Sequence, residues 1–288
     1  MNEKITFDFA QIGGVKLHYA KAGTGARLVI LLHGFPEFWY SWRHQLDALS
    51  DEYTVVAPDM RGYNLSDKPE NVSDYEISKL VDDVVGLIHH FGHEQAAVIG
   101  HDWGAGIAWA VAQMHPESVW KLGALQVPPM AVWRKNQTLR QALASWYMLF
   151  FQIPRLPEWL LSFNDYQMLA DGLRNSTAEP DVFTDAEIAE YKKSWSEPNA
   201  LTSAINYYRA NFVSLFLTES KPANQKITVP TVFIYGEKDK AVLPETVKGV
   251  SEMIDAPYEE FRIPTAAHWS QQEAAEAVTQ ILREFLAE

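Results

Sequence analysis

The sequence predicts an α/β protein: a mostly parallel sheet flanked by helices, with one all-helical block inserted into it. Three observations predict this. Strand-like and helix-like segments alternate up to about residue 128; the alternation stops from Pro128 or Pro129 to about Pro222; it then resumes to the end of the chain. Such alternation implies parallel strands joined by right-handed crossovers.

The elements follow in order. ITFDFA, a QIGG turn and VKLHYA read as a hairpin, because VKLHYA alternates with period two. LVILL is a short continuous apolar run, as a strand buried on both faces requires. Gly23 and Gly25 precede that strand, whereas a dinucleotide-binding glycine motif follows a strand, so they read as a turn. Trp39 to Ser50 has a helical pattern, and TVVAPD is a strand. DYEISKLVDDVVGLIHHFG is an amphipathic helix, begun at Ser73 or Asp74 and stopped by Gly92. AAVIGHD is a strand that leads at once into the helix GAGIAWAVAQMH, and VWKLGALQV is the next strand. After the helical block come the strand TVFIYG, the helix ETVKGVSEMI, the strand YEEFRIP and a closing helix QQEAAEAVTQILREFLAE. The domain division is therefore 1–128 with 223–288 as core and 129–222 as cap. A cap so placed covers the ligand crevice at the carboxyl ends of the strands.

Composition removes several classes. With 288 residues, 47% of them hydrophobic, a large core is available. The net charge of −13 disfavours nucleic acid or an anionic membrane as partner. Absence of cysteine excludes disulfides, thiolate metal sites and a cysteine nucleophile. MNEKITFDFA lacks a basic segment followed by an apolar run, and no apolar stretch approaches the ~20 residues of a membrane span. A soluble, cytoplasmic protein, monomer or homodimer, is expected.

The chemistry centres on Gly100-His101-Asp102-Trp103-Gly104, where an apolar strand turns sharply into a helix between two glycines. That is the pattern of a nucleophile elbow with aspartate in the nucleophile position. The plainer alternative is a helix-capping aspartate. His33-Gly34-Phe35-Pro36 follows the LVILL strand, where an oxyanion loop belongs, which nominates the backbone amides of Phe35 and Trp103. Asp239 follows TVFIYG, and His268 follows FRIP through TAA. Nucleophile, acid and histidine thus occur in the order a triad of this type needs, each just past a strand. A serine esterase is disfavoured, because no G-x-S-x-G stands at the elbow.

With these residues the chain resembles the α/β-hydrolase-fold epoxide hydrolases. The matching stretches are HGFPEFWYSWRHQ (33–45), DMRGYNLSDKP (59–69), GHDWGA (100–105), SWYMLFFQ (145–152), NYYRANF (206–212), GEKD (236–239) and AAHW (266–269). The resemblance implies that Asp102 attacks an epoxide carbon to form an alkyl ester. It also implies that two cap tyrosines assist ring opening: Tyr147, and Tyr208 with Tyr207 as the register alternative. His268, oriented by Asp239, then activates water to hydrolyse the ester. The implied reactants are a small hydrophobic epoxide and water, with no metal and no organic cofactor. His33, Phe35, Trp103, Trp146 and Phe151 are the pocket candidates.

Other readings stand beside this one. Trp146, Phe150, Phe151 and Trp159 are expected to pack first and line a pocket second. His89 and His93 have i, i+4 spacing, but Gly92 lies between them and a metal site is not expected. His33 is expected to support its loop more than to react. Asp59 and Arg61 are expected to form a structural charge pair near the site. A haloalkane dehalogenase also uses an aspartate ester, yet typically carries Asn after His-Gly, where this chain has Phe35. A fluoroacetate dehalogenase or a non-catalytic receptor on the same scaffold fits the residues less well.

Overall fold

The structure is a computed structural model that describes residues 4–216 and 224–287. Eight strands form one sheet in the order β1-β2-β4-β3-β5-β6-β7-β8. They are β1 (Thr6–Ile12), β2 (Val15–Ala22), β3 (Leu28–Leu32), β4 (Thr54–Pro58), β5 (Ala96–His101), β6 (Val119–Leu125), β7 (Thr231–Gly236) and β8 (Tyr258–Ile263). The β1–β2 hairpin is antiparallel and also meets β4 antiparallel; every other pair is parallel. Strands β3, β4, β5 and β7 are buried along their whole length, which explains why each is apolar without alternation.

Helices cover both faces. Leu28, Ile30 and Leu32 of β3 pack in one cluster with α2 (Ile77–His90) and α3 (Trp103–Met114). Val29 and Leu31 turn the other way, into a cluster with α1 (Arg43–Leu49) and, at the C-terminus, Val278, Leu282 and Phe285. Successive side chains of a strand point to opposite faces, so one five-residue run joins two cores.

Between β6 and β7 lie α4 (Met130–Lys135), α5 (Leu139–Ala144), α6 (Trp146–Phe150), α7 (Leu156–Asn175), α8 (Asp185–Ser196) and α9 (Ala200–Phe216). These helices form the cap. Its predicted end at residue 222 lies outside the described residues. Helix α8 begins with a capping box, in which Thr184 and Glu187 satisfy each other's backbone amides. Helix α7 is interrupted by three left-handed residues, Asn164, Asp165 and Tyr166.

Directional bonds fasten cap to core. Trp195 Nε1 donates to Pro36 O at 2.6 Å, and the Tyr207 hydroxyl donates to Arg61 O at 2.8 Å. Arg43 pairs with Glu187 of the cap and donates to Gln272 Oε1 at 2.7 Å. Asn211 accepts from Ile77 N and donates to Tyr75 O, both at 2.9 Å.

Several sequence expectations need correction. ETVKGVSEMI forms no α-helix; it makes two short 3-10 turns, Pro244–Val247 and Val250–Met253, separated by left-handed Gly249. Ser73 and Asp74 belong to a 3-10 turn, and α2 starts after Glu76. Trp39–Trp42 is likewise 3-10 before α1. The closing helix is broken at Ala274 into α10 (Ser270–Glu273) and α11 (Ala275–Ala287). Arg61 does not pair with Asp59. Its guanidinium forms a bidentate pair with Asp83 at 2.5 Å, while Asp59 bonds His18 and Asn64. Arg61 lies in the turn after β4, where strand alternation no longer sets side-chain direction, and it reaches Asp83 of α2.

Candidate active site

Asp102 occupies the tip of the β5–α3 turn with φ 51° and ψ −118°, a strained conformation for a residue with a side chain. The turn closes only because its flanks are bare. A Cβ on Gly100 would stand 2.1 Å from Gly104 O, and one on Gly104 would stand 2.2 Å from Leu32 O. Although Asp102 precedes α3, its side chain caps no helix amide. Its Oδ1 accepts from Phe35 N at 2.9 Å, which removes the plain capping interpretation. Trp103 is the first residue of α3, so its N–H has no intrahelical acceptor.

His268 bridges two carboxylates. Its Nδ1 lies 2.8 Å from Asp239 Oδ2 and its Nε2 lies 3.7 Å from Asp102 Oδ2. Asp239 is fixed in turn: Oδ1 accepts from Ala241 N at 2.7 Å and Val242 N at 2.9 Å. Burial disfavours the charged form of His268, but Asp239 and Asp102 outweigh it and hold the imidazole well above its ordinary range. Burial likewise favours the neutral acid of Asp102, yet His268, His101 and the Phe35 amide hold it below the usual carboxylate range.

Tyr147 of α6 and Tyr208 of α9 meet over this group with ring centroids 5.8 Å apart. Burial pushes both phenols upward, followed by the Asp102 charge for Tyr147 and by the Tyr147 phenol and then Asp102 for Tyr208, so both remain protonated donors. Tyr207 points elsewhere, its hydroxyl buried against Arg61 O. Phe35 and Trp103 press edge-on against Tyr208 at 5.4 and 5.1 Å.

Two cavities adjoin Asp102, Tyr147 and Tyr208. Trp103 lines the smaller, and Phe35, Trp146, Phe151 and His268 line the larger. His33 lines neither. It is fully buried beneath its loop, accepts from Met60 N at 3.0 Å, and lies 2.9 Å from Gly34 O. Trp159 is 61% exposed and lines neither cavity, contrary to a packing role. Among the described residues, no group of three His, Asp or Glu side chains is arranged to hold a metal ion.

Two supporting residues escape sequence reasoning. Gln126 has φ 69° just past β6; its Nε2 donates to Asp239 Oδ2 at 2.7 Å and Ala267 O at 2.9 Å, and its Oε1 accepts from Gly236 N at 2.6 Å. Glu37 is fully buried and lies 2.8 Å from His101 Nδ1, while its carboxylate also accepts from Gly34 N, Gln271 and Gln272. The position of Gln126 after a core strand was a usable signal; Glu37 offered none beyond its place next to HGFP.

Residues 27–275 match the family model of the α/β hydrolase fold. The AB hydrolase superfamily protein YfhM of Bacillus subtilis is 40% identical over 282 residues, covering 96% of each chain. Epoxide hydrolase 1 of Caenorhabditis elegans is 36% identical, over 96% of this chain and 69% of that one. The crystal structure of Bacillus megaterium epoxide hydrolase with an inhibitor superimposes with TM-score 0.86 and 31% identity, covering 98% of this chain and 100% of that one. The chain therefore belongs to the α/β-hydrolase-fold family, in the group that holds the epoxide hydrolases.

Proposed function

We propose that the chain is an epoxide hydrolase, converting an epoxide and water to a vicinal diol through an ester on Asp102. The observation that carries this reading is the placement of two protonated phenols, Tyr147 and Tyr208, across the same space as an ionised Asp102. A carboxylate suits displacement at an sp³ carbon, and the opened ring oxygen needs a proton donor on the opposite side.

In the first step Asp102 attacks a ring carbon, the carbon–oxygen bond breaks, and a phenol protonates the oxygen. Ester formation removes the Asp102 charge, so His268 loses one of the two carboxylates that hold its proton. That proton returns the tyrosinate to the neutral phenol, and His268 becomes a base. In the second step it takes a proton from water as the water attacks the ester carbon. The developing oxyanion rests on the Phe35 and Trp103 amides. Collapse returns the proton to the departing diol oxygen. The carboxylic acid left on Asp102 then gives its proton to His268, and the site is back at its start. The catalytic groups come from a core of 1–128 with 223–288 and a cap of 129–222, and the cap supplies both phenols.

The test is intact-protein mass spectrometry of His268→Gln mixed with styrene oxide or with a 1-haloalkane. An adduct equal to the whole epoxide mass, located on Asp102, is expected. An adduct from the haloalkane alone would convert the reading to a dehalogenase.

A further inference from the structure

Tyr147 stands on α6, a helix of five residues that buries none of them fully. A single helical turn does not hold itself together in water, so something outside it must fix the phenol. Tyr208 stands on α9, which runs for 17 residues and is fastened to the core one position earlier, where the Tyr207 hydroxyl donates to Arg61 O. Of the two phenols, Tyr147 has the weaker local support.

Arg209, the residue after Tyr208, supplies what α6 lacks. A guanidinium carries five N–H donors, and here all of them are engaged. Nε donates to Phe151 O at 2.9 Å and Nη2 to Ile153 O at 3.0 Å. Phe151 is the C-cap of α6, and carbonyls at a helix end have no partner within the helix. Nη1 and Nη2 also hold Glu158 Oε1 and Oε2, at 2.7 and 3.1 Å, in the first turn of α7. Nη1 reaches Asn206 Oδ1 of its own helix at 3.3 Å. The Arg209 and Glu158 side chains are only 15% and 17% exposed, so water competes little for the pair. Phe151 completes the link. Its N–H donates to Tyr147 O at 2.8 Å, and its ring packs 5.6 Å from that of Tyr147 and 5.0 Å from that of Tyr208.

We infer that Arg209 is a positioning residue for ring opening: its fork docks the end of α6 onto α9 and so sets Tyr147 against Tyr208. Glu158 orients the fork from the far side. The inference rests on the epoxide hydrolase reading above. It concerns ester formation alone, because Asp239, His268 and the Phe35 and Trp103 amides belong to the core.

The experiment measures ester formation and ester hydrolysis separately, by rapid quench with styrene oxide. Wild type is compared with Arg209→Gln, Tyr147→Phe and the double variant. Arg209→Gln is expected to slow ester formation ~10-fold or more, as a displaced catalytic group does, and by no more than Tyr147→Phe does. Ester hydrolysis is expected to be unchanged. In the Tyr147→Phe background the same substitution is expected to alter ester formation by about twofold or less, because no hydroxyl is left to misplace. Arg209→Lys keeps the charge and loses the fork, so it is expected to behave as Arg209→Gln does. It decides the matter should Arg209→Gln fail to fold by thermal melting. Wild-type ester formation in Arg209→Gln or Arg209→Lys overturns the inference and leaves the epoxide hydrolase reading intact. So does an equal loss in both backgrounds, or one spread equally over both steps. Absence of any ester from the wild type overturns both.

Discussion

His268 Nε2 stands 3.7 Å from Asp102 Oδ2, while its Nδ1 is 2.8 Å from Asp239 Oδ2. The histidine is thus bonded to Asp239 and only adjacent to Asp102. Asp102 Oδ1, meanwhile, is held by the Phe35 amide. That division matters for both steps. In the proposed reaction Asp102 Oδ2 attacks the ring carbon, and His268 takes a proton from the water that attacks the ester.

The two oxygens of the diol have different origins if Asp102 is the nucleophile. One comes from the epoxide and the other from the carboxylate. A single turnover in ¹⁸O-labelled water is expected to place the label in Asp102 and none in the diol. Label in the diol at the first turnover would show direct attack by water. Asp102→Asn is expected to lower kcat by at least about a thousandfold, as loss of a nucleophile does, with an unchanged far-ultraviolet circular dichroism spectrum.

The phenols share one task. Tyr147→Phe and Tyr208→Phe are each expected to slow ester formation by ~10²-fold or more, the usual worth of a positioned proton donor. The double variant is expected to lose far more than either single one. Stopped-flow measurement of the ester-forming phase checks this, and equal rates in all four proteins would remove the tyrosines from the reaction.

Acid is expected to separate the two steps. Asp102 is held below the usual carboxylate range, so attack persists as pH falls. Water attack needs neutral His268, and the ester form lacks the Asp102 charge that raises the imidazole in the free protein. Between about pH 7 and about pH 5, the range in which histidine takes up its proton, the steady-state fraction of alkyl-enzyme should therefore rise. Rapid quench and mass spectrometry report it; a constant fraction contradicts the assignment of His268 as base.

Stability carries the same linkage with a definite sign. His268 is raised in the folded chain, so it contributes stability that is full below the ordinary histidine pKa and is lost as pH rises through the folded value. Asp102→Asn removes one cause of the raised value and should move that loss to lower pH. Melting temperatures of both proteins across the neutral to alkaline range test it, and superimposable profiles would count against the coupling.

Gln126 ties the acid to the histidine loop, through Asp239 Oδ2, Ala267 O and Gly236 N. Gln126→Leu strands Ala267 O and Gly236 N, at about 1–3 kcal/mol for each unsatisfied group, and leaves Asp239 Oδ2 with His268 alone. A lower melting temperature and a lower kcat are expected. Wild-type values for both would mean that the strand ends hold Asp239 without it.

The order and kind of most elements were legible in the sequence, because a strand buried on both faces and an amphipathic helix write different periodicities. The elbow was legible too, since only glycines fit beside Asp102. So were Asp239 and His268, because each stands a few residues past the end of a strand. Tertiary structure decided the rest. It separated Tyr208 from Tyr207, one residue apart, because one turns toward the cavities and the other bonds Arg61 O. It gave Arg61 to Asp83 and not to Asp59, and it put His33 beneath its loop and away from the cavities. It also recruited Gln126 and Glu37. Local periodicity records which face of an element is buried. It does not record which distant side chain a polar group will meet, and those meetings hold Asp239, His268 and Asp102 in register.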